Sequence, residues 1–278
     1  MKMKFDRIEE IISAALSEDT QGMDLTSESI FEPDYRSTFV LIAKEDGVIG
    51  GLQVFESVFK AMDPVAELTF MFGDGDRVKN GDQVAKISGL TSRLLMAERT
   101  ALNILQRMSG IATATRLYVE AVAPYKAKIV DTRKTVPGLR ILDKKAVVIG
   151  GGYNHRMGLY DAVLIKDNHI DAVSGISEAV KRCKSKVSHM VKIEVEIRSV
   201  SELEEAIAAG ADVVLLDNMS NEDMAEAVRI SDGRVLLEAS GNMSLERVHD
   251  VAKTGVDLIS VGALTHSVRA LDLSMRAL

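Results

Sequence analysis

The chain has 278 residues, 34 lysines and arginines against 41 aspartates and glutamates, and a formal net charge of −7. With 46% hydrophobic and 27% charged residues it has the composition of an ordinary globular protein, not of a disordered or fibrous one. The negative total and the 4% aromatic content argue against general nucleic-acid binding, which needs basic stripes and stacking rings. On the total charge alone, an anionic substrate is also unexpected.

The cysteine count and the hydropathy pattern indicate the compartment. The single cysteine, Cys183, can form neither an internal disulfide nor a cysteine-based zinc site, which fits a reducing cytosol. The first residues lack the apolar core of a signal peptide, and no apolar run approaches the length of a membrane span. We therefore expect a cytoplasmic protein with neither nucleic acid nor membrane as a partner.

The first elements in chain order are a helix and a series of short strands. Helical spacing of Phe5, Ile8, Ile12 and Leu16 predicts a helix over residues 5–16. A loop with Asp24, Pro33 and Asp34 follows, and residues 37–88 contain short β-like runs between turn signals. Repeated Gly-Asp turns predict a structural hairpin over residues 73–89. The alternative is a lipoyl- or biotinyl-type carrier module, although the lysine-bearing tip of such modules is not recognisable.

The strongest helical prediction covers residues 92–108. We expect Gly110 to interrupt this helix and a helical pattern to continue to residue 122. Six strand-like runs follow at 128–132, 162–166, 191–197, 213–218, 235–240 and 258–263, and the later ones alternate with helices at 173–186, 200–209, 221–230 and 244–254. Ser199, Gly210 and Ser220 stand where these helices begin or end. Since a complete barrel has eight strands, we predict an α/β fold with an open, incomplete parallel barrel of about six strands.

A change in rhythm near residues 110–125 predicts the domain boundary. Residues 1–112 are expected to form an α+β sandwich domain, and residues 113–267 the open barrel that carries catalysis. Residues 268–278 can pack back onto the first domain.

Polar residues follow nearly every strand of the predicted barrel. In parallel βα domains the ligand site lies at the carboxyl ends of the strands. These ends carry residues 131–134, residues 166–169, Glu196, Asp217, Asn218, Glu238, Ser240, Gly241 and Gly262. Loop polarity explains any one of them better than it explains the whole set, so we predict that they line one pocket.

The run 191–197 places Lys192, Glu194 and Glu196 on one face of a strand. Buried charges are costly unless they are paired or bind a ligand. A functional interior strand is therefore favoured over an edge strand with a solvated face.

Residues 131–166 carry seven basic and three acidic residues, a local charge of +4, which leaves −11 for the rest of the chain. Arginine and lysine suit carboxylates and phosphates, so this window favours a small anionic ligand after all. The glycines 150–152 within it allow either an anion-binding backbone or a flexible connection. Glu196 and Asp217, one βα unit apart, are candidate Mg²⁺ ligands or, equally, partners for nearby lysines. Ser240–Asn242 is a candidate phosphate loop or a helix cap.

Eight segments occur in the order of one enzyme family: 98–113, 131–140, 150–159, 164–170, 194–196, 209–219, 237–242 and 254–267. Together they resemble quinolinate phosphoribosyltransferase, also called nicotinate-nucleotide pyrophosphorylase (carboxylating). The resemblance implies an N-terminal α/β sandwich, an open α/β barrel, and a homodimer or higher oligomer with active sites at the subunit interface.

The resemblance also implies a role for each matching residue. Arg99 would be lent by the neighbouring subunit to bind quinolinate. The predicted pocket residues are Thr132, Arg133, Lys134, His155, Arg156 and Lys166. Glu196 and Asp217 would serve phosphoribosyl pyrophosphate and its Mg²⁺, and Ser240, Gly241, Asn242, Gly262 and Ala263 would hold its 5′-phosphate. Among these, Lys134, Lys166, Glu196 and Asp217 are the predicted catalytic residues. The family usually has glycine at position 242.

The implied reaction is Mg²⁺-dependent transfer of phosphoribosyl to quinolinate with loss of CO₂, without an organic cofactor, in NAD biosynthesis. The first alternative is a pyrophosphorylase of the same fold with another substrate, of the kind associated with molybdenum transport. A more distant one is a Schiff-base aldolase that uses Lys166 at a strand end.

Overall fold

The structure, a computed structural model, describes residues 3–278, with side chains from Arg7 onward. It contains two compact units, each made from separate stretches of chain. The first comprises the chain up to Arg116 together with Val136–Gly151 and Val268–Leu278, and the second comprises Leu117–Thr135 and Gly152–Ser267. The functional division at residue 112 remains a prediction.

The elements are numbered in chain order. The helices are α1 (Met3–Thr20), α2 (Leu25–Ile30), α3 (Leu52–Met62), α4 (Thr91–Val122), α5 (Arg140–Ile149), α6 (Asp167–Val173), α7 (Ile176–Lys184), α8 (Leu203–Ala209), α9 (Asn221–Ser231), α10 (Leu245–Lys253) and α11 (Ala263–His266). The strands are β1 (Arg36–Ala43), β2 (Gly47–Val48), β3 (Glu67–Phe70), β4 (Arg77–Val78), β5 (Gln83–Leu90), β6 (Lys128–Val130), β7 (Val163–Ile165), β8 (Ile193–Ile197), β9 (Val213–Asp217), β10 (Leu236–Ser240), β11 (Leu258–Ser260) and β12 (Leu273–Ala277). No helix within residues 3–278 is long and apolar enough to cross a membrane.

The first unit is built on an antiparallel sheet with strand order β12-β1-β5-β3. β1 lies in the middle of this sheet, and its Phe39 pairs with Ala277 on one side and with Ile87 on the other. Phe55 and Phe59 of α3 are fully buried and stack edge to face, with ring centroids 4.9 Å apart. The C-terminal strand β12 thus belongs to the sheet of the first unit.

The helix predicted over residues 5–16 is confirmed as α1, which extends to Thr20. Ile12 and Leu16 are buried as the spacing predicts, whereas the side chain of Phe5 lies outside the described residues. The prediction of a loop after this helix is wrong in part, because residues 25–30 form α2. Asp24 begins this helix by accepting hydrogen bonds from the amides of Thr26 and Ser27.

Gly110 does not interrupt the helix, contrary to the prediction from sequence. Helix α4 is continuous over 32 residues. A Cβ atom at Gly110 would overlap the carbonyl oxygen of Arg269 and lie 3.0 Å from the Cα of Ala270. Glycine therefore permits the close approach of the C-terminal segment, and the cost of glycine inside a helix is accepted for packing.

The hairpin predicted over residues 73–89 was also wrong. β4 pairs with β2, whereas β5 pairs with β1 and β3. The Gly-Asp turns are real: Asp76 and Asp82 accept hydrogen bonds from the amides of Gly73 and Lys79. They close turns between strands of different sheets and do not connect the two strands of one hairpin.

The second unit is built on a six-stranded parallel sheet with strand order β6-β11-β10-β9-β8-β7. No ladder joins β6 to β7 within residues 3–278, so the sheet is open, as predicted. Helices α7 to α10 alternate with its later strands. Ser220 begins α9 by accepting from the amide of Asp223, and Gly210 ends α8 with a φ of +84°. Since all six strands are parallel, their carboxyl ends lie along one edge.

Candidate active site

A pocket of about 790 Å³ opens at the carboxyl ends of the six parallel strands. This volume is within the range of small-molecule sites. Residues that end or follow each of the six strands line it, and all belong to the second unit. They are Thr132, Arg133, Lys134, His155, Arg156, Leu164, Lys166, Glu196, Leu215, Asp217, Asn218, Glu238, Ser240, Gly241, Asn242, Met243, Ser244, Ser260, Gly262, Ala263 and His266.

The predicted site residues meet here with one exception. Thirteen of the fourteen line the pocket, whereas Arg99 lies exposed on α4 in the first unit. Along the sheet, basic residues follow the two outer strands, β6 and β7. The four inner strands end in the carboxylates of Glu196 and Asp217, in Ser240, and in Ser260 near Gly262. The pocket thus combines a basic part with carboxylates and hydroxyls.

Arg133 and Arg156 are the arginines of this pocket. Burial lowers the pKa of Arg156, and the nearby charge of Arg133 lowers it further. Its guanidinium donates a hydrogen bond to the carbonyl of Ala162 at 3.2 Å. Two like charges at one wall are stabilised by an anion between or beside them, and the planar guanidinium suits a carboxylate or phosphate.

Only part of the basic window 131–166 reaches the pocket. Arg133, Lys134, Arg156 and Lys166 line it, whereas Arg140, Lys144 and Lys145 lie on α5 in the first unit. The local charge of +4 over residues 131–166 therefore does not all belong to the pocket, and only its two ends do. Sequence reasoning missed α5, which takes the middle of the window out of the barrel.

The triple glycine is neither a phosphate loop nor a lining segment. Gly150 ends α5, and a Cβ atom there would lie 2.6 Å from the carbonyl oxygen of Ala112. Gly151 has a φ of +97°. Close packing and a left-handed turn explain these glycines.

Two of the predicted catalytic residues form an ion pair. The Nζ of Lys166 lies 2.7 Å from the Oε2 of Glu196, across β7 and β8. Asp217 ends the neighbouring strand β9, and its Oδ2 accepts a hydrogen bond from the side-chain amide of Asn218 at 3.0 Å. Both of the alternatives suggested for these carboxylates remain compatible with the geometry, because a carboxylate paired with lysine still has free lone pairs for a cation.

The loop after β10 is held in a tight left-handed conformation. Gly241 has a φ of +95° and Asn242 a φ of +47°, so asparagine occupies a position where glycine would be unstrained. A Cβ atom at Gly241 would overlap the side-chain oxygen of Asn218. Arg247 donates to the carbonyls of Gly241 and Met219 at 3.0 and 2.9 Å and so ties the loops after β10 and β9 together.

Two buried acidic side chains lie around His155 at the pocket. Glu194 and Glu238 are 6% and 1% exposed, and the Nε2 of His155 lies 2.9 Å from one and 3.6 Å from the other. The functional interior predicted for β8 is supported, since this strand lies between β7 and β9 and its Glu196 lines the pocket. Lys192 does not share that face: it precedes the strand, is exposed and pairs with Asp212 at 2.8 Å.

Burial, and after it the neighbouring charge of Glu194, raise the pKa of Glu238 to about 8. His155 and the hydroxyl of Ser260 act in the opposite direction, and Asp131 adds to the rise. At neutral pH Glu238 is therefore mainly protonated.

This pKa predicts a pH-dependent stability. Between the ordinary pKa of 4.5 and about 8 the folded chain binds more protons than the unfolded chain, so rising pH destabilises it across this window. The contribution is at most about 1.4 kcal/mol per pH unit. Urea midpoints at pH 5.5, 7 and 8.5 are expected to fall less steeply in Glu238→Gln than in the wild type. Identical slopes in both proteins, with the exposed control Glu226→Gln also unchanged, would contradict the assignment.

Several lining residues were not among the predicted site residues. Ser260, His266 and Met243 come from the ends or flanks of β10 and β11, and Asn218 and Glu238 were noticed as polar strand ends without a role. The signal for Glu238 was present in its position two residues before Ser240. Its contact with His155 depends on long-range packing that the local pattern does not contain.

Comparison with known proteins decides the family. The profile of the quinolinate phosphoribosyl transferase N-terminal domain matches residues 24–109, and that of the C-terminal domain matches residues 111–276. The chain belongs to the quinolinate phosphoribosyltransferase family. The sequence resemblance is thereby confirmed, and the Schiff-base aldolase is not favoured.

Relatives from plants and bacteria agree with this assignment. The probable nicotinate-nucleotide pyrophosphorylase (carboxylating) of Bacillus subtilis (strain 168) is 43% identical over 97% of this chain and 93% of its own length. The mitochondrial quinolinate phosphoribosyltransferase (decarboxylating) 2b of Nicotiana tabacum is 43% identical over 97% of this chain and 82% of its own length. The solved nicotinate-nucleotide pyrophosphorylase of Francisella tularensis superposes with a TM-score of 0.94 at 41% identity and covers 98% of this chain and 96% of its own.

Proposed function

We propose that this chain transfers the phosphoribosyl group of phosphoribosyl pyrophosphate to quinolinate and releases pyrophosphate and CO₂. The product is nicotinate mononucleotide, an intermediate of NAD biosynthesis. The observation that carries the proposal is the composition of the pocket at the strand ends of the second unit. Its four lysines and arginines face carboxylates, hydroxyls and a glycine-containing loop at one edge of the parallel sheet. The family assignment supports the same reaction.

The negative total charge does not oppose anionic substrates. Arg133, Lys134, Arg156 and Lys166 outnumber the three carboxyl groups of the pocket, of which Glu238 is mainly protonated at neutral pH. The local field therefore favours anions although the whole chain carries −7. For a small ligand, the charges that line the pocket matter more than the sum over the surface.

Different residues of the pocket bind each of the two substrates. The guanidinium groups of Arg133 and Arg156 bind the two carboxylates of quinolinate and fix the orientation of its ring. The loop Ser240–Asn242 supplies hydroxyl and amide donors for the 5′-phosphate, with Gly262 and Ala263 beside it. Lys134 and Lys166 stabilise negative charge on the phosphate groups and on the leaving pyrophosphate.

The chemistry then needs no nucleophilic side chain. The bond between C1 of the ribose and pyrophosphate breaks, and the ring nitrogen of quinolinate forms the new bond to C1. The nitrogen becomes cationic and stabilises the electron pair left at C2 when the adjacent carboxylate departs as CO₂. A proton then replaces it. Positioning and electrostatic stabilisation are the contributions of the chain.

Mg²⁺ is part of the proposal. The donor set fits it, because Glu196 and Asp217 present carboxylate oxygens on adjacent strands at the pocket edge, and Mg²⁺ is bound by one or two carboxylates plus substrate oxygens. When bound, the ion neutralises charge on the pyrophosphate. Glu196 also orients the ammonium group of Lys166 at 2.7 Å.

Replacing Asp217 by asparagine tests the proposed Mg²⁺ site. We expect the Mg²⁺ concentration for half-maximal activity to rise about 10-fold, because a neutral amide is a weaker ligand than a carboxylate. The measurement is a Mg²⁺ titration at saturating substrates, with exposed Asp232→Asn as the control. An unchanged midpoint in Asp217→Asn would exclude this carboxylate as a ligand.

A homodimer with Arg99 lent by the neighbouring subunit is also proposed. Arg99 is exposed on α4, as a residue that reaches another subunit must be. Arg99→Ala is expected to lower quinolinate affinity without changing the urea midpoint. Mixing it with Lys166→Ala subunits should restore roughly a quarter of wild-type activity, because half of the dimers are mixed and each has one intact site. Mixtures that recover no activity would contradict the shared site.

A substrate panel distinguishes this function from the same-fold alternative. The purified enzyme with Mg²⁺ and phosphoribosyl pyrophosphate should release CO₂ with quinolinate and form no nucleotide with nicotinate. Turnover of another acceptor, with none of quinolinate, would favour a paralogous pyrophosphorylase. A cytoplasmic location is proposed from the single cysteine, which fits a reducing compartment.

A further inference from the structure

Two buried carboxyl oxygens in the second unit have no hydrogen-bond partner. Among the described side chains only three buried polar atoms are in this state, and two are the Oε1 atoms of Glu194 and Glu238. Unsatisfied buried polar atoms are rare and call for an explanation. Both residues belong to the buried cluster around His155, and Glu238 itself lines the pocket.

The sheet register explains how these carboxyls come together. Glu194 lies on β8 and Glu238 on β10, with β9 between them. Leu215 of β9 pairs with Glu196 on one side and with Glu238 on the other. Since Glu196 and Leu215 line the pocket, Glu194 and Glu238 also occupy the face of the sheet that carries the site.

His155 is the group on which the two carboxyls converge. Its Nε2 lies 2.9 Å from the Oε2 of Glu194 and 3.6 Å from the Oε2 of Glu238. Its Nδ1 accepts the backbone amide of Arg156 at 2.7 Å. A ring that accepts at Nδ1 carries its proton at Nε2, so the ring donates to Glu194.

The backbone of the same segment is held by a third buried acid. The amide of His155 donates to the Oδ1 of Asp131 at 2.9 Å, and Asp131 is fully buried. The imidazole ring of His155, its backbone amide and the backbone amide of Arg156 each take part in a hydrogen bond. The residue that follows is Arg156, whose guanidinium lines the pocket.

We propose that Glu194 and Glu238 are positioning residues that act through His155: they hold its imidazole in the Nε2–H form and thereby set the position of Arg156 for a substrate carboxylate. This proposal rests on the proposed function for its substrate, but not for the state of His155. The Oε2 atoms of both carboxyls lie toward the Nε2 of His155, and their Oε1 atoms have no hydrogen-bond partner among the described residues.

The first test requires no substrate. Side-chain ¹⁵N spectra of the wild type should show His155 as the Nε2–H tautomer, with the signal assigned by its loss in His155→Gln. In Glu194→Gln this signal should shift, because the charged acceptor is replaced by an amide. An Nδ1–H tautomer in the wild type would overturn the proposal, and so would a signal unchanged in Glu194→Gln.

The second test separates positioning from a general structural role. In Glu194→Gln the KM for quinolinate is expected to rise about 10- to 100-fold, as for the loss of a charge-assisted hydrogen bond, while the KM for phosphoribosyl pyrophosphate changes little. Glu194→Ala should be worse than Glu194→Gln, which retains an acceptor oxygen. The matched control is Glu226→Gln on the exposed face of α9.

Three further outcomes would count against the proposal. Equal increases in both KM values would indicate a structural role only. A stoichiometric transition metal in the purified protein, lost in Glu194→Gln, would show that the cluster of His155, Glu194 and Glu238 is a metal site instead. A quinolinate KM that matches the Glu226→Gln control would exclude Glu194 from substrate binding. If the wild type shows no activity with quinolinate, the proposed function fails, while the spectra still test the orientation of His155.

Discussion

Replacing Arg156 by alanine is expected to lower kcat/KM for quinolinate by about 10- to 100-fold, the cost of one hydrogen bond between charged groups in a site shielded from water. Burial and the charge of Arg133 lower the pKa of Arg156, which means that the free site disfavours its positive charge. A bound anion would stabilise that charge. Removing it deletes both the charge and the planar pair of donors that fits a carboxylate.

Further variants of Arg156 and of Arg133 test this expectation. Arg156→Lys keeps the charge but loses the fork, and should recover only part of the activity. Because Arg133 and Arg156 interact, Arg133→Ala combined with Arg156→Ala should cost less than the product of the two single losses. Arg229→Ala, on an exposed surface pair, is the control. A double variant with wild-type KM for quinolinate would contradict the assignment of this wall.

Gly241→Ala is expected to abolish tight binding of phosphoribosyl pyrophosphate, with a KM that rises about 10- to 100-fold. Gly241 has a φ of +95°, and the added Cβ would overlap the side-chain oxygen of Asn218. Either the loop after β10 moves or Asn218 is displaced from Asp217, with which it shares a hydrogen bond of 3.0 Å. Both changes damage the proposed phosphate and Mg²⁺ sites.

The chain offers a matched control for backbone strain. Gly233 has a φ of +73°, and a Cβ atom there meets nothing within 4 Å. Gly233→Ala should cost roughly 1–2 kcal/mol of stability and leave the KM values unchanged. Steady-state kinetics with urea midpoints for both variants measure the difference. If Gly241→Ala resembles Gly233→Ala in both measurements, the loop does not bind the phosphate.

Local patterns were sufficient to predict the parallel sheet and most of its pocket. Most of its strands are apolar runs, and the later ones stand between helices such as α8, which ends at Gly210, and α9, which begins at Ser220, so periodicity and caps place these strands. Because parallel strands end at one edge, their polar ends predicted much of the pocket, from Thr132 to Gly262, whereas His155, Arg156 and Ala263 were assigned to it by the family resemblance. The family resemblance added roles to these positions, and the roles remain predictions.

The errors share one physical cause, which is long-range contact. Gly110 has the local signature of a helix break, but its partner is the backbone of Arg269 at the other end of the chain. The Gly-Asp turns of residues 73–89 predict a hairpin, yet the pairing of β4 with β2 is set by tertiary packing. The meeting of His155 with Glu238 likewise depends on the fold and not on spacing.

The most direct test is a crystal structure with quinolinate and a stable analogue of phosphoribosyl pyrophosphate bound together. The account predicts both ligands in the pocket at the carboxyl ends of β6 to β11. The quinolinate carboxylates should contact Arg133 and Arg156, the 5′-phosphate should contact Ser240–Asn242, and the ring nitrogen should face C1. Quinolinate bound without contact to either arginine, or an analogue bound outside this pocket, would contradict it.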